Sequence, residues 1–302
     1  MRNLTKLGLG LGLAALMSAR AMSEETINLT VVSGFSPSVA AVKMLQESFI
    51  PTVNAELAKT GDYKINWQEA FSGTLATPGG ELEAVQTGLA DVGVIVTAIH
   101  ADKIPLYLIG YVTPFTTTDM GLVHEVVDGL VEKYPAFGET WDKFNQVTLS
   151  ASGIADNYIV CSAKPIDTVE DIDGLKIGGI GPNLRWMEPI GAVGVNANLG
   201  NFYNMTQTGV TDAMLVWGEA VVSLKFYEVC DYYFNANLGG ANTYAINVNK
   251  QTWSKLPDEV KEALTTGAKA YGVAIGDFAA EVGEKAIAIF KESGGTVSDI
   301  DE

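Results

Sequence analysis

The chain has 302 residues, enough for two compact lobes, and a globular composition with 47% hydrophobic residues, 18% charged residues and 32 glycines, which excludes a peptide, a coiled coil or a long disordered tract. Acidic residues outnumber basic ones 36 to 19, for a formal charge of −17, and no Lys/Arg run interrupts that excess. This argues against nucleic acid and anionic lipid surfaces as partners, whose affinity rests on basic side chains that neutralise phosphates.

In chain order, the first feature is a secretory signal over residues 1–21. Arg2 and Lys6 precede an apolar run from Leu7 to Met17, and Ala19 and Ala21 supply small residues at the two positions a signal peptidase reads. The run is too short to span a bilayer, and no later segment offers about 20 uninterrupted apolar residues. Export follows, and loss of Arg2, Lys6 and Arg20 leaves a mature chain near −20.

A β-branched strand is expected over Ile27 to Val32, followed by a turn and an amphipathic helix with Val42, Leu45 and Phe49 on one face. Alternating apolar and polar residues make Tyr63 to Trp67 a half-buried strand. A helix with Leu82 and Val85 ends at Gly88, and Val92 to Val96 reads as a fully buried strand. Strand and helix alternate in this way in α/β lobes. The pattern recurs with strands at Leu175 to Ile177, Val193 to Val195 and Met214 to Trp217. A local echo accompanies it: Gln86-Thr87-Gly88-Leu89-Ala90-Asp91 and Gln207-Thr208-Gly209-Val210-Thr211-Asp212 each lie between a helix and an apolar run. In both, Gly suits the left-handed helix cap and Asp the turn into the strand. From Asp258, a candidate N-cap after Pro257, apolar residues recur in steps of three and four to Ile289, and Gly294-Gly295 is the stop. Such a helix is about 50 Å long at ~1.5 Å per residue, enough to cross both lobes, with Gly267 or Gly272 as places for a break.

Few residues here suit catalysis. Only two histidines are present; His100 reads as a loop residue after a buried strand and His124 as part of a solvated helix face. There is no Gly-x-Ser-x-Gly elbow, and Gly178-Gly179-Ile180-Gly181 does not match a dinucleotide-binding fingerprint. No cofactor and no metal are expected. Cys161 and Cys230 are either one bridge in an oxidising compartment or two separate buried thiols.

Between Asp171 and Pro257 the sequence resembles the extracytoplasmic solute-binding subunits of TRAP transporters, the type that includes C4-dicarboxylate and sialic acid binders. Asp173-Gly174-Leu175-Lys176-Ile177, Gly191-Ala192, the second Gln-Thr-Gly segment, Lys225-Phe226-Tyr227-Glu228-Val229 and Trp253-Ser254-Lys255-Leu256-Pro257 carry it, with Gly73-Thr74-Leu75 and Glu81 to Asp91 in the first half. The resemblance implies an α/β, two-lobe periplasmic-binding-protein-like fold with hinge strands and a long C-terminal helix spanning both lobes. Lobe I takes 22–155 plus 242–281 and lobe II 156–241 plus 282–302. It also implies capture of a small-molecule solute by lobe closure and delivery to the TRAP permease membrane subunits, by a monomer without catalytic turnover.

Family members usually carry Arg directly after this Leu-Lys-Ile, pairing with a substrate carboxylate. Here the residue is Gly178. The resemblance puts Tyr158, Val96, Val216 and Tyr244 at ligand-facing positions that hold charged or amide side chains in relatives. Trp186 and Trp217 lie near in sequence, with Asp156 and Glu219 as the nearest acids. Aromatic faces with a carboxylate suit a cation, so a small amine or quaternary ammonium, such as an amino alcohol, is the expected ligand. Core packing is the alternative role of each aromatic. Arg185 offers a rival anchor for a carboxylate or sulfonate. A different class of activity is a secreted hydrolase using Asp156 and Glu219 as general acid and base.

Overall fold

The computed structural model describes residues 24–155 and 157–299, so the expected signal at 1–21 and Asp156 lie outside the described residues. The first half runs β1 (Glu25–Val32), α1 (Ala40–Met44), α2 (Ile50–Leu57), β2 (Tyr63–Ala70), α3 (Glu81–Thr87), β3 (Val92–Val96), α4 (Ile109–Val112), α5 (Met120–Lys133), α6 (Ala136–Asp142) and β4 (Gln146–Ala155). The second half continues with β5 (Tyr158–Ser162), β6 (Lys176–Gly179), α7 (Gly181–Leu184), β7 (Val193–Asn196), α8 (Leu199–Gln207), β8 (Ala213–Trp217), α9 (Gly218–Ser223) and β9 (Tyr232–Asn235). Last come β10 (Ala241–Asn249), α10 (Lys250–Lys255), α11 (Asp258–Glu292) and β11 (Thr296–Asp299). No described helix is long and apolar enough to cross a membrane.

Two sheets organise these elements. One has the order β2-β1-β3-β10-β4 and the other β11-β9-β5-β8-β6-β7. In the first, β1 is parallel to β2 and β3, while β10 is antiparallel to β3 and β4. In the second, β6 is parallel to β7 and β8, and β5 is antiparallel to β8 and β9. The chain passes from sheet to sheet between β4 and β5, between β9 and β10, and through α11. This is a two-lobe α/β fold with crossing strands and one long brace.

The echo in the sequence is an echo in structure. Gly88 and Gly209 both take the left-handed conformation, with φ of 77° and 73°. After each, the Asp ties the incoming strand to its parallel neighbour: Asp91 Oδ2 accepts from Thr30 N on β1, and Asp212 Oδ2 accepts from Lys176 N on β6, both at 2.9 Å. Sequence and register therefore agree that β1/β3 and β6/β8 are corresponding pairs.

The first helix differs from its expectation. Val42, Leu45 and Phe49 are all buried, but a π-helical turn over Leu45–Phe49 separates α1 from α2. Pro51 sits in the first turn of α2 and has no N–H to continue the ladder, so a wide turn before it absorbs the gap. By contrast α11 is unbroken through Gly267 and Gly272, and packs on β4 and α2 on one side and α9 and β11 on the other. Asp258 is its first helical residue and Pro257 occupies the cap, a shift of one position that keeps the acid near the positive end of the helix. Cys161 on β5 and Cys230 just before β9 are bonded to each other, with 5.7 Å between their Cα atoms, which resolves the two alternatives in favour of a bridge.

Candidate functional site

Strand ends and one short helix bring a group of aromatic rings together where the two sheets face each other. Tyr158 opens β5 opposite Trp217 at the end of β8, their ring centroids 5.6 Å apart. Trp186 follows α7 and meets the Tyr158 ring edge-on at 5.2 Å. From the other lobe comes Tyr111 on α4, stacked on Trp186 at 5.9 Å and edge-on to Tyr158 at 6.3 Å. Gly110 makes that placement feasible. A Cβ there would lie 2.9 Å from Ala241 Cα and Asn242 N, so only glycine lets α4 lie so close on β10 and send the next residue inward.

Polar atoms in this cage are joined across the lobes. Trp186 Nε1 donates to the Tyr111 carbonyl at 2.8 Å. The Tyr111 hydroxyl lies 3.1 Å from the Tyr158 hydroxyl and 3.1 Å from Thr243 Oγ1 on β10. Tyr244 follows and pairs with Val96 across β10 and β3. Burial raises the phenol pKa values of Tyr111, Tyr158 and Tyr244, so all three stay neutral hydroxyls.

Among the described residues two carboxylates are buried, and they differ in how well they are held. Glu81 accepts from Gly34 N at 2.8 Å and from Gly79 N at 2.7 Å, so each of its oxygens has a backbone partner. Glu219, in the first turn of α9, is 1% exposed. Its Oε2 accepts from Trp217 Nε1 at 2.8 Å, while its Oε1 has no hydrogen-bond partner. Burial raises the Glu219 pKa; Ser223, Trp217 and the positive charge of Lys43 act against that rise. Lys43 itself is half-buried, with Nζ 4.6 Å from the centre of the Phe278 ring. No Lys or Arg is among the fully buried described residues.

Two members of the cage, Tyr111 and Trp186, line a cleft of about 790 Å³ together with Asp102, Leu108, Pro182 and Arg185, residues of both lobes. An adjoining opening of about 250 Å³ is lined by Ile99, Asp102, Pro182, Asn196 and Asn198. Arg185 caps the C-terminus of α7 and is exposed at this mouth, outside the ring cluster.

Of the residues singled out from sequence, the fold brings Tyr158, Trp186 and Trp217 into one cluster, with Glu219 bonded to Trp217, and sets Tyr244 beside Val96. Val216 pairs with Ile159, one step along from the Trp217–Tyr158 pair, so the pleat turns it to the other face of the sheet. Gly178 is bracketed by Val195 and Met214, and a Cβ there would touch Thr211 and Phe202 at 3.4 and 3.6 Å, beneath α8. The histidines stand apart from the readings made of them. His100 is buried in a 3-10 turn rather than lying in a loop, and burial, aided by Lys103, lowers its pKa to about 4. His124 is only 19% exposed on α5, too covered for a solvated face, with Nε2 3.7 Å from Asp128 Oδ2. No cluster of potential metal ligands occurs among the described residues. Two members of the cage, Tyr111 and Thr243, carry no sequence motif; Gly110 beside an aromatic was the one local hint.

Residues 37–302 match the family described as bacterial extracellular solute-binding protein, family 7. The chain belongs to this family. Its members are the solute receptors of TRAP transporters and not enzymes, which removes the hydrolase alternative. Among curated proteins, this family 7 receptor is 24% identical over 197 residues to a solute-binding protein of Chromohalobacter salexigens; the match takes in 64% of the chain and 54% of the relative's length. Solved structures share the fold. A Bordetella pertussis extracytoplasmic solute receptor binding pyroglutamic acid superposes with a TM-score of 0.76 at 18% identity, covering 91% of this chain and 88% of that one. A Chromohalobacter salexigens TRAP periplasmic solute-binding protein with bound D-glucuronate gives 0.75 at 19% identity, over 91% and 89% of the two chains. A Sulfitobacter protein of the same kind with bound β-D-galacturonate gives 0.74 at 20%, again over 91% and 89%.

Proposed function

We propose that this receptor captures a small protonated amine in the interlobe cage and delivers it to the membrane subunits of a TRAP permease. In this reading the chain is exported through a signal over residues 1–21 and works in the periplasm as a monomer. Its lobes are 22–155 with 242–281 and 156–241 with 282–302.

One observation carries the ligand class. The interior where the lobes meet holds aromatic faces and a buried carboxylate with a free oxygen, while no buried Lys or Arg is present among the described residues. Aromatic rings attract a cation through their negative faces, and a buried carboxylate supplies an ion pair strengthened by exclusion of water. A carboxylate ligand placed there would face the like charge of Glu219, against which only the half-buried Lys43 acts. Gly178 supplies no side chain to serve as an anion anchor, which points the same way.

A second reading is favoured by a separate observation. Arg185 lines the cleft mouth, and the solved relatives named above hold carboxylates. There, a carboxylate or sulfonate would sit further out, against Arg185. Titration calorimetry with propylamine and with D-glucuronate separates the two. The amine reading expects propylamine to bind the wild type and Arg185→Ala alike, and to weaken about 100-fold in Glu219→Gln, the scale of a lost buried charge pair. Binding of D-glucuronate alone, lost on Arg185→Ala, would replace it with the second reading.

A further inference from the structure

Trp186 makes a contact that neither ligand reading uses. The last carbonyls of a helix have no partner within it, and in the four-residue α4 that of Tyr111 is one of them. Trp186 Nε1, an indole N–H that can only donate, supplies the partner in a buried bond of 2.8 Å. The same two residues stack, with 5.9 Å between ring centroids and 22° between planes. The Tyr111 hydroxyl then reaches the Tyr158 hydroxyl on β5 at 3.1 Å. Helix α4 packs on β10 of the first sheet, whereas α7, two residues before Trp186, packs on β6 and β7 of the second. Two hydrogen bonds and a ring stack therefore join elements of different sheets, and protein groups alone make all three.

Their position makes this contact one that can open. Tyr111 and Trp186 both line the cleft, so parting the lobes hands the freed N–H and carbonyl to water instead of burying them unpaired. Each bond then contributes only its modest net worth to the closed arrangement. Trp217 offers the contrast: its Nε1 bonds Glu219 on the helix that directly follows its own strand, so that bond survives any movement of one lobe against the other. We propose that Trp186 is a positioning residue for capture. Its indole N–H on the Tyr111 carbonyl clasps the lobes together before a solute enters, and uptake begins with release of this clasp. The inference goes beyond the amine reading and holds for either ligand class, because the clasp needs no solute.

The test uses the mature protein with no solute added. Cys161 and Cys230 are bonded to each other, so dyes can be placed at Glu83→Cys on α3 and Asn204→Cys on α8 without competing thiols. Both positions are exposed, and their helices pack on the first and second sheet respectively. Single-molecule energy transfer between the dyes then reads the ratio of closed to open molecules. The otherwise unaltered protein should be mainly closed. Trp186→Phe keeps a ring and removes the N–H, and should shift the ratio about tenfold toward open, the scale of one buried hydrogen bond. Tyr111→Phe keeps the carbonyl, loses only the bond to Tyr158 and should shift it the same way; it decides alone if Trp186→Phe does not fold. Trp141→Phe, the same change at a fully buried Trp on α6, should leave the ratio where it was. A mainly open protein, no shift in the Trp186 and Tyr111 variants, or an equal shift in Trp141→Phe would overturn the inference. Those results leave the amine reading in place, and failure of propylamine to bind leaves the clasp in place.

Discussion

On the proposed amine reading, Glu219 is the residue on which recognition turns, and its environment makes a statement about pH. Burial raises its pKa above the ordinary glutamate value, so the folded protein holds the proton more tightly than the unfolded chain does. The sign follows from linkage: the stability tied to this group is fully present below the unfolded pKa and is lost as pH rises through the higher folded value. Glu219→Gln cannot ionise and escapes that loss. Without ligand, the variant should therefore melt close to the wild type at acidic pH and above it near neutrality. The gain there is on the order of 1 kcal/mol, since the amide oxygen still accepts from Trp217. Melting curves of both proteins across acidic to neutral pH measure it, and a constant gap at every pH would contradict a buried, ionisable Glu219. Glu81 is raised by burial as well, but it is common to both proteins and cancels in the comparison. Trp186 shows the limit of residue-level reading. Its sequence neighbours marked it as near the ligand, yet its role as the ring that stacks on Tyr111 and bonds its carbonyl depends on a residue 75 positions away.

At the scale of elements, α11 tests how far periodicity can be trusted. Its spacing of apolar residues, its start at Asp258 and its Gly stop were all visible in sequence, and the 35-residue helix follows them. Gly267, which looked like a place for a break, and Gly276 have opposite roles. A Cβ at Gly267 would lie 2.5 Å from Val53 Cγ2 and 3.1 Å from the Phe49 carbonyl oxygen, so this glycine is the contact through which α11 seats on α2. At Gly276 a Cβ would meet nothing within 4 Å. Gly267→Val should destabilise the protein by about 2 kcal/mol or more through overpacking, whereas Gly276→Ala should stabilise it by about 0.5–1 kcal/mol through helix propensity. Denaturant midpoints for the two variants, expected on opposite sides of the wild type, check the assignment. Strands with alternation or fully apolar runs, such as Val92 to Val96, were equally legible. The region from Ile104 to Val112 was not. Its two short turns lack a helical period, and the placement of Tyr111 comes from Gly110 packing on β10, a contact 131 residues away in the chain. The pairing of Cys161 with Cys230 was hidden for a similar reason: it depends on β5 and β9 being neighbours in the second sheet.

For the whole molecule, the family and fold were readable because they rest on many weak local signals in a fixed order, while the ligand rests on a few side chains contributed by distant segments. Two lobes meet through the contact of Tyr111 with Trp186 and Tyr158, and one long helix braces them. The net charge of −17 sits mostly on exposed residues; on the proposed amine reading, the charge that matters for recognition is the carboxylate of Glu219 inside. A ligand that binds the folded protein alone raises its melting temperature by an amount that grows with affinity and concentration. The most direct measurement is therefore a thermal-shift screen of the mature protein against amines, carboxylates, sulfonates and sugar acids at matched concentrations. A rise in melting temperature with protonated amines, and none with the anions, is the predicted result; a strong rise with a carboxylate and none with any amine would contradict the account.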